Sequence, residues 1–273
     1  MNEIPLGRAT QYPTGYSPEL LFSIPRADNR ERLGLSGTAL PFRGYDLWRA
    51  YELSWLNEQG KPIVATGEFI VPASSANIIE SKSLKLYLNS LNQTRYENVE
   101  HARATISRDL SQAAGSKVVV QLASIQDSEG FSICKPAGVC LDQLDVTIDS
   151  YTPNSELLRV ASTEVIEETL YTDLFRSNCP VTAQPDWGTA VIQYKGPAID
   201  HKSLLRYLIS FREHEGFHED CTEQVFCDLQ SHFEPESLSV MIHFLRRGGL
   251  EINPVRSSAP IQVDFPANRF IRQ

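Results

Sequence analysis

Two stretches 120 residues apart constrain this chain more than any bulk property does. Lys82-Ser83-Leu84-x-x-Tyr87-Leu88 recurs as Lys202-Ser203-Leu204-x-x-Tyr207-Leu208, and Asp109-Leu110 recurs as Asp228-Leu229 at an offset of 119. The surroundings repeat in the same order. Residues 46–71 predict two strands about a turn at Asn57–Pro62, then helices over 80–95 and 98–114 and a strand over 117–124. Further on, Gly188–Lys195 alternates as a strand ended by Gly196-Pro197, with helices over 200–213 and 218–231 and a strand over Ser237–Leu245. Leu144, Val146 and Ile148 alternate with polar neighbours, which predicts one more half-buried strand at 142–151, after a loop at 126–140. The expected fold class is α+β: two hairpin–helix–helix–strand modules, each laying paired helices on one face of an antiparallel sheet. The expected boundaries are an arm at 1–45, a first module at 46–150 and a second at 151–273.

Charge narrows the partners. With 34 acidic against 25 basic residues the net charge is −9, which argues against direct nucleic-acid or membrane binding. No apolar run approaches the length of a membrane span, and the first residues carry no basic-then-apolar leader, so a cytoplasmic setting is expected. Five cysteines, an odd number, make a poor disulfide framework. Neither G-x-G-x-x-G nor a Walker loop occurs, so any dinucleotide must be held in another way.

Four stretches carry candidate chemistry, and each has an ordinary alternative. His214-Glu215-Gly216-Phe217-His218 fits H-E-x-x-H, which on a helix would bind zinc, but Gly216 and the charged flanks disfavour that helix. Arg176 to Gly188 holds Cys179 between prolines, with Arg176 near enough to favour a thiolate. In the same stretch Asp186 stands beside Trp187, where desolvation would suit it to act as an acid. A structural cysteine and a turn aspartate remain open there. Ile79-Glu80-Ser81-Lys82 opens a helix and reads equally as a cap with solvated lysines. Phe217-His218-Glu219 opens another, where a carboxylate suits the helix dipole.

Together, Glu80-Ser81-Lys82-Ser83-Leu84-Lys85-Leu86-Tyr87, Ser177-Asn178-Cys179-Pro180 with Asp186-Trp187-Gly188, Phe217-His218-Glu219 and Arg246-Arg247-Gly248-Gly249 resemble the 7-cyano-7-deazaguanine reductases. The likeness is to the long, two-module form of these NADPH-dependent nitrile reductases of queuosine biosynthesis, a tRNA-modification pathway. The resemblance implies tandem tunnelling-fold modules assembling into a barrel from more than one chain, a homodimer being favoured. It implies Cys179 as nucleophile, passing through a thioimidate, and Asp186 as proton donor. Ile79, Glu80, Ser81, His218 and Glu219 would hold a small deazapurine, and Ser81, Lys82, Arg247 and Gly248 would hold NADPH. Two NADPH per turnover and no metal are expected. The first module would then serve recognition and the second catalysis. The alternative is a zinc hydrolase, either of the H-E-x-x-H type or like the cyclohydrolases of the same fold. A purine-binding module without turnover is a third possibility, and the Cys179–Asp186 pair disfavours it.

Overall fold

Apolar alternation on two strands joined at Asn57 builds the first sheet. The computed structural model describes residues 13–35, 39–126, 132–261 and 268–273. Parts of the expected arm (1–12 and 36–38) and of the expected loop (127–131) lie outside the described residues. In chain order the strands are β1 (Ser23–Pro25), β2 (Arg43–Leu56), β3 (Pro62–Pro72), β4 (Asn77–Ile79), β5 (Val119–Ser124), β6 (Ser132–Cys134) and β7 (Val139–Cys140). They continue with β8 (Val160–Thr172), β9 (Arg176–Asn178), β10 (Pro185–Ile199), β11 (Ser237–Phe244), β12 (Leu250–Ser257) and β13 (Asn268–Phe270). The helices are α1 (Ala27–Arg32), α2 (Ser81–Ser90), α3 (Val99–Ala114), α4 (His201–Ile209) and α5 (His218–Phe233). The described residues fall into two units. The first draws on Met1–Asn29, Tyr45–Gly130 and Arg246–Ile252, and the second on Arg30–Gly44, Phe131–Leu245 and Asn253–Gln273.

In the first unit β2 and β3 pair antiparallel from Tyr45↔Pro72 to Leu56↔Pro62, and β5 continues the sheet from Ile70↔Val119 to Ala65↔Ser124. The turn is closed where the sequence predicts it. Lys61 donates its backbone N–H to Asn57 Oδ1 at 2.9 Å, and Gly60 takes the positive φ of 83° that its position requires. Helices α2 and α3 pack Leu84, Tyr87, Leu88, Ala102, Ile106 and Leu110 onto Trp48, Leu53, Trp55 and Phe69 of the sheet. Asn98 caps the start of α3, and Gly115 ends it at φ 64°.

In the second unit β10 is flanked by β8 and β11, both antiparallel, and β9 pairs with its first residues. Leu204, Tyr207 and Leu208 of α4 and Val225, Phe226 and Leu229 of α5 are buried, as are Ile192, Tyr194, Val240 and Ile242 of the sheet. Strand β10 runs on through Gly196-Pro197. Proline is accommodated there because the pairing with β11 ends at Lys195↔Ser237, leaving β10 with one partner strand, and the register against β8 shifts just after Pro197.

The repeat extends to individual hydrogen bonds. Tyr87 donates to Asp109 Oδ2 at 2.7 Å, and Tyr207 to Asp228 Oδ2 at 2.6 Å. Ser83 and Ser203 each return their hydroxyl to the cap carbonyl, of Glu80 at 2.6 Å and of Asp200 at 2.7 Å. The same hydroxyls accept from the backbone N–H of Phe22 and of Arg159, each at 3.0 Å. Short 3-10 turns precede these contacts at Pro18–Leu20 and Ser155–Leu157. Thus part of the expected arm is the opening piece of the first copy.

The expected loop at 126–140 carries the short strands β6 and β7, and the strand expected after it is absent. Residues 142–151 belong to no strand, although Asp142 to Ile148 do alternate between partly buried and exposed. An extended segment alternates faces whether or not another strand pairs with it. The strand lies instead at β8, whose first six residues are all exposed and mix apolar with polar types, so its pattern carried little signal.

Burial holds Asp228 above the ordinary carboxylate range, with the Tyr207 hydroxyl opposing the shift. We expect Tyr207→Phe, which strips this donor from a mostly buried acceptor, to cost about 1–3 kcal/mol in urea unfolding. A variant as stable as the parent chain would contradict the pairing.

Candidate active site

The β9–β10 hairpin forms the centre of the second unit's site. Asp186 stands opposite Ser177 in the ladder, and Cys179 follows β9 by one residue. The loop between the arms is tight. Cys179 donates its N–H to Gln184 O, and Ala183 donates to Cys179 O, both at 2.9 Å, with Ala183 at φ 52°. Cys179 is half-buried, whereas Asp186 is only 4 % exposed.

A second segment docks on β9. Asn178 donates its N–H to His214 O at 2.7 Å and accepts from the Gly216 N–H at 3.1 Å. This pairing leads the chain into α5, whose first two residues are His218 and Glu219. His218 Nε2 lies 3.3 Å from Asp186 Oδ2, and its ring stacks on Phe244 with centroids 3.9 Å apart and planes 15° from parallel. Glu219 is 2 % exposed. Phe217 provides no side-chain cap, so the first turn of α5 keeps backbone donors for other acceptors. The structure therefore gathers Cys179, Asp186, His218 and Glu219 at one end of the hairpin.

The H-E-x-x-H pentad is not helical. His214 closes a 3-10 turn (Ser210–Glu213), and only His218 belongs to α5. The His214 ring packs against Phe211 and Gly216, while His218 turns to Asp186 and Phe244, so the two rings do not converge. A Cβ at Gly216 would lie 2.9 Å from His214 Nε2 and 3.1 Å from Cys221 Sγ, which explains the glycine by packing. Among the described residues no three His, Cys, Asp or Glu side chains cluster to hold a metal. Burial pushes the Cys221 thiol up and the His214 imidazole down.

The first unit holds the remaining candidates. Ile79 is buried on β4, and Glu80 is the cap of α2. Both Glu80 oxygens are engaged: Oε1 accepts from the Lys82 N–H at 2.9 Å and Oε2 from the Ser83 N–H at 2.7 Å. Each oxygen keeps a second lone-pair site for a ligand donor. Ser81 is exposed and Lys82 half-buried at the same helix start. Arg247 and Gly248 belong to a hairpin turn in which Arg247 donates to Leu250 O at 2.8 Å and Gly248 and Gly249 take φ of 58° and 78°. A Cβ at Gly248 would fall 2.6 Å from Lys85 Nζ, and the Arg246 guanidinium lies 4.8 Å from the centroid of the Tyr51 ring. Lys85 and Arg246, absent from the residues expected to hold NADPH, therefore add positive charge around this turn. The i, i+3 spacing of Lys82 and Lys85 on α2 was the available signal.

Two family models match the chain. One is described as "Nitrile reductase, 7-cyano-7-deazaguanine-reductase N-term" and matches residues 12–122. The other is described as "QueF-like protein" and matches residues 185–262. A curated relative from Dechloromonas aromatica (strain RCB) is 54 % identical over 254 residues, covering 93 % of this chain and 90 % of its own length. It is named NADPH-dependent 7-cyano-7-deazaguanine reductase. This chain belongs to the 7-cyano-7-deazaguanine reductase family. A solved structure titled "Crystal structure of the archaeosine synthase QueF-Like in the apo form" is 17 % identical. It covers 36 % of this chain and 96 % of its own at a TM-score of 0.31, too slight a likeness to carry an argument. The chain combines α and β elements, with mainly antiparallel strand pairing among the described residues.

His214 gives the site a pH signature. Its folded value lies below the ordinary 6.5, so the unfolded chain takes up the proton first. That contribution to stability is complete above the unfolded value and is lost as pH falls through it toward the folded one. Replacing His214 with Gln should flatten the loss of stability below about pH 6.5, followed by urea unfolding at several pH values. An unchanged slope would contradict this account.

Proposed function

We propose that this chain reduces the nitrile of 7-cyano-7-deazaguanine to the aminomethyl group of 7-aminomethyl-7-deazaguanine, at the expense of NADPH, in queuosine biosynthesis. The observation that carries the reading is the hairpin with Cys179 just past one arm and a buried Asp186–His218 pair on the other.

The chemistry follows from these residue types. The Cys179 sulfur adds to the nitrile carbon, forming a C–S bond, while the nitrogen takes a proton and becomes a thioimidate. Asp186 would supply that proton: it is enclosed at the foot of the hairpin, and His218 Nε2, 3.3 Å from its Oδ2, holds its carboxyl in one orientation. His218 is in turn fixed by Phe244, so the donor stays aimed while the substrate changes shape. After the carbon is reduced once, loss of the Cys179 thiolate leaves an imine, which the second reduction converts to the amine. Bound NADPH supplies the hydrides, two equivalents because nitrile to amine takes four electrons.

Recognition falls to carboxylates. A deazaguanine edge presents adjacent N–H donors, which a buried carboxylate such as Glu219, next to His218, can accept; Glu80, with Ile79 and Ser81, is the corresponding carboxylate of the first unit. The Gly248-Gly249 turn suits the cofactor's phosphates: it leaves the space of a side chain next to Lys85 Nζ, with Arg247 and Lys82 adding positive charge. Ser81 would donate its hydroxyl there. The first module would serve recognition and the second catalysis. Among the described residues β5 is the end strand of its sheet, with Val119 exposed, which suits closure against another copy. Assembly into a tunnelling-fold barrel, as a homodimer in the cytoplasm, completes the proposal.

Incubated with 7-cyano-7-deazaguanine in the absence of NADPH, the protein should gain one substrate mass in intact mass spectrometry. Cys179→Ala should show none, and capture on Cys221 would overturn the assignment. Replacing Asp186 with Asn should lower kcat by about 10²–10⁴-fold. Gly248→Ala, forced against Lys85 at an unfavourable φ, should raise the KM for NADPH more than it lowers kcat. Equal kinetics in that variant would remove the turn from the cofactor site.

A further inference from the structure

Trp187 follows Asp186 on β10, and strand alternation turns its indole to the opposite face of the hairpin. Three guanidinium groups converge on that one ring. Their central carbons lie 5.4 Å (Arg176), 5.5 Å (Arg212) and 5.0 Å (Arg272) from its centroid. They come from β9, from the 3-10 turn before α5 and from the C-terminal residues, so chain proximity does not explain the cluster. All three side chains and the indole are half-buried.

What sets the trio apart is the lack of a counter-charge. Elsewhere the enclosed arginines are matched: Arg26 with Asp46, Arg30 and Arg256 with Glu223, and Arg49 with Glu68 and Glu251. Among the described residues Arg176, Arg212 and Arg272 pair with no carboxylate. Arg176 donates to Asn178 Oδ1 at 3.0 Å, Arg272 donates to the Asp173 carbonyl, and Arg176 Nε is buried with no partner. This happens in a chain whose acids exceed its bases by nine. The three charges lie within about one Debye length of one another, about 10 Å at 0.1 M salt, so solvent ions screen them poorly.

We propose that the Trp187 platform is a binding site for an oligophosphate, such as the phosphate chain of a nucleotide. A guanidinium stacked on an indole uses its face and keeps its in-plane N–H donors for a ligand, in the fork that matches phosphate oxygens. Three such forks around one point call for several negative charges a few ångströms apart. A single carboxylate would leave two of them unmatched. Trp187, Arg212 and Arg272 have no part in the machinery assigned above, and Arg176 enters it only as a neighbour of Cys179, so the proposal stands apart from the nitrile reading. Arg176 also holds Asn178, the residue before Cys179, so occupancy would reach the catalytic hairpin.

Intrinsic fluorescence tests this directly, because Trp48 and Trp55 are 1 % and 2 % exposed and Trp187 alone is open to a ligand. The full chain is titrated with inorganic tripolyphosphate at constant ionic strength, and binding is measured in parallel by calorimetry. The expected result is a saturable change with one site per chain. Its affinity should fall at least tenfold in the Arg212→Gln/Arg272→Gln double variant, which should still reduce the nitrile. If that variant fails to fold, the two single substitutions take its place, each expected to weaken binding severalfold. Adenosine triphosphate in a second arm identifies the source: equal affinity means the phosphates alone are read, and tighter binding adds a nucleoside contact. The absence of saturable binding, or equal affinity in parent and folded variants, would overturn the proposal.

Discussion

The second unit depends on a short backbone pairing of Asn178 with His214 and Gly216. Through it the hairpin that carries Cys179 and Asp186 is held to the segment that opens α5 with His218 and Glu219. Backbone bonds of this kind are insensitive to side-chain identity, yet they fix register. A slip of one residue would turn Asp186 away from His218. Gly216 is needed because any side chain there would press on the His214 ring and the Cys221 sulfur beneath it. The site's geometry thus rests on a glycine and two carbonyls as much as on the reactive groups.

The internal repeat explains why two units with different residues at their helix starts share one frame. In both, a carboxylate caps the first helix, a serine closes the cap, and a tyrosine bonds an aspartate on the next helix. Such contacts are enclosed and mutually satisfied, so losing one partner leaves a buried polar group exposed to its full desolvation cost. The positions around them were free to diverge. Glu80-Ser81-Lys82 stands in the first copy where Asp200-His201-Lys202 stands in the second. His201 there turns its Nε2 to Glu168, 3.2 Å away.

Much of this was legible in the residues, and for identifiable reasons. The turn at Asn57–Pro62, both helix pairs and the strand at β11 follow from strong periodicity with clear stops. Strand β12 was missed because it is buried along its whole length and carries Glu251, Asn253, Pro254 and Arg256, a composition that does not read as a core strand. Glu251 is matched there by Arg49 at 3.0 Å and Arg256 by Glu223 at 2.8 Å. Tertiary partners of that kind have no local signature. The motifs fixed the family and the candidate residues, whereas the stacking of His218 on Phe244 and the approach of Lys85 to Gly248 join residues far apart in the chain. No spacing rule reaches that far.

The proposed chemistry has a stoichiometry that no simpler reaction shares. The chain is mixed with 7-cyano-7-deazaguanine and NADPH, the loss of NADPH absorbance is followed, and the primary amine formed is quantified in the same sample. The account predicts two NADPH oxidised for each aminomethyl product, with no oxidation when the nitrile is left out. One NADPH per product, release of an aldehyde or ammonia in place of the amine, or no consumption by folded protein would contradict it.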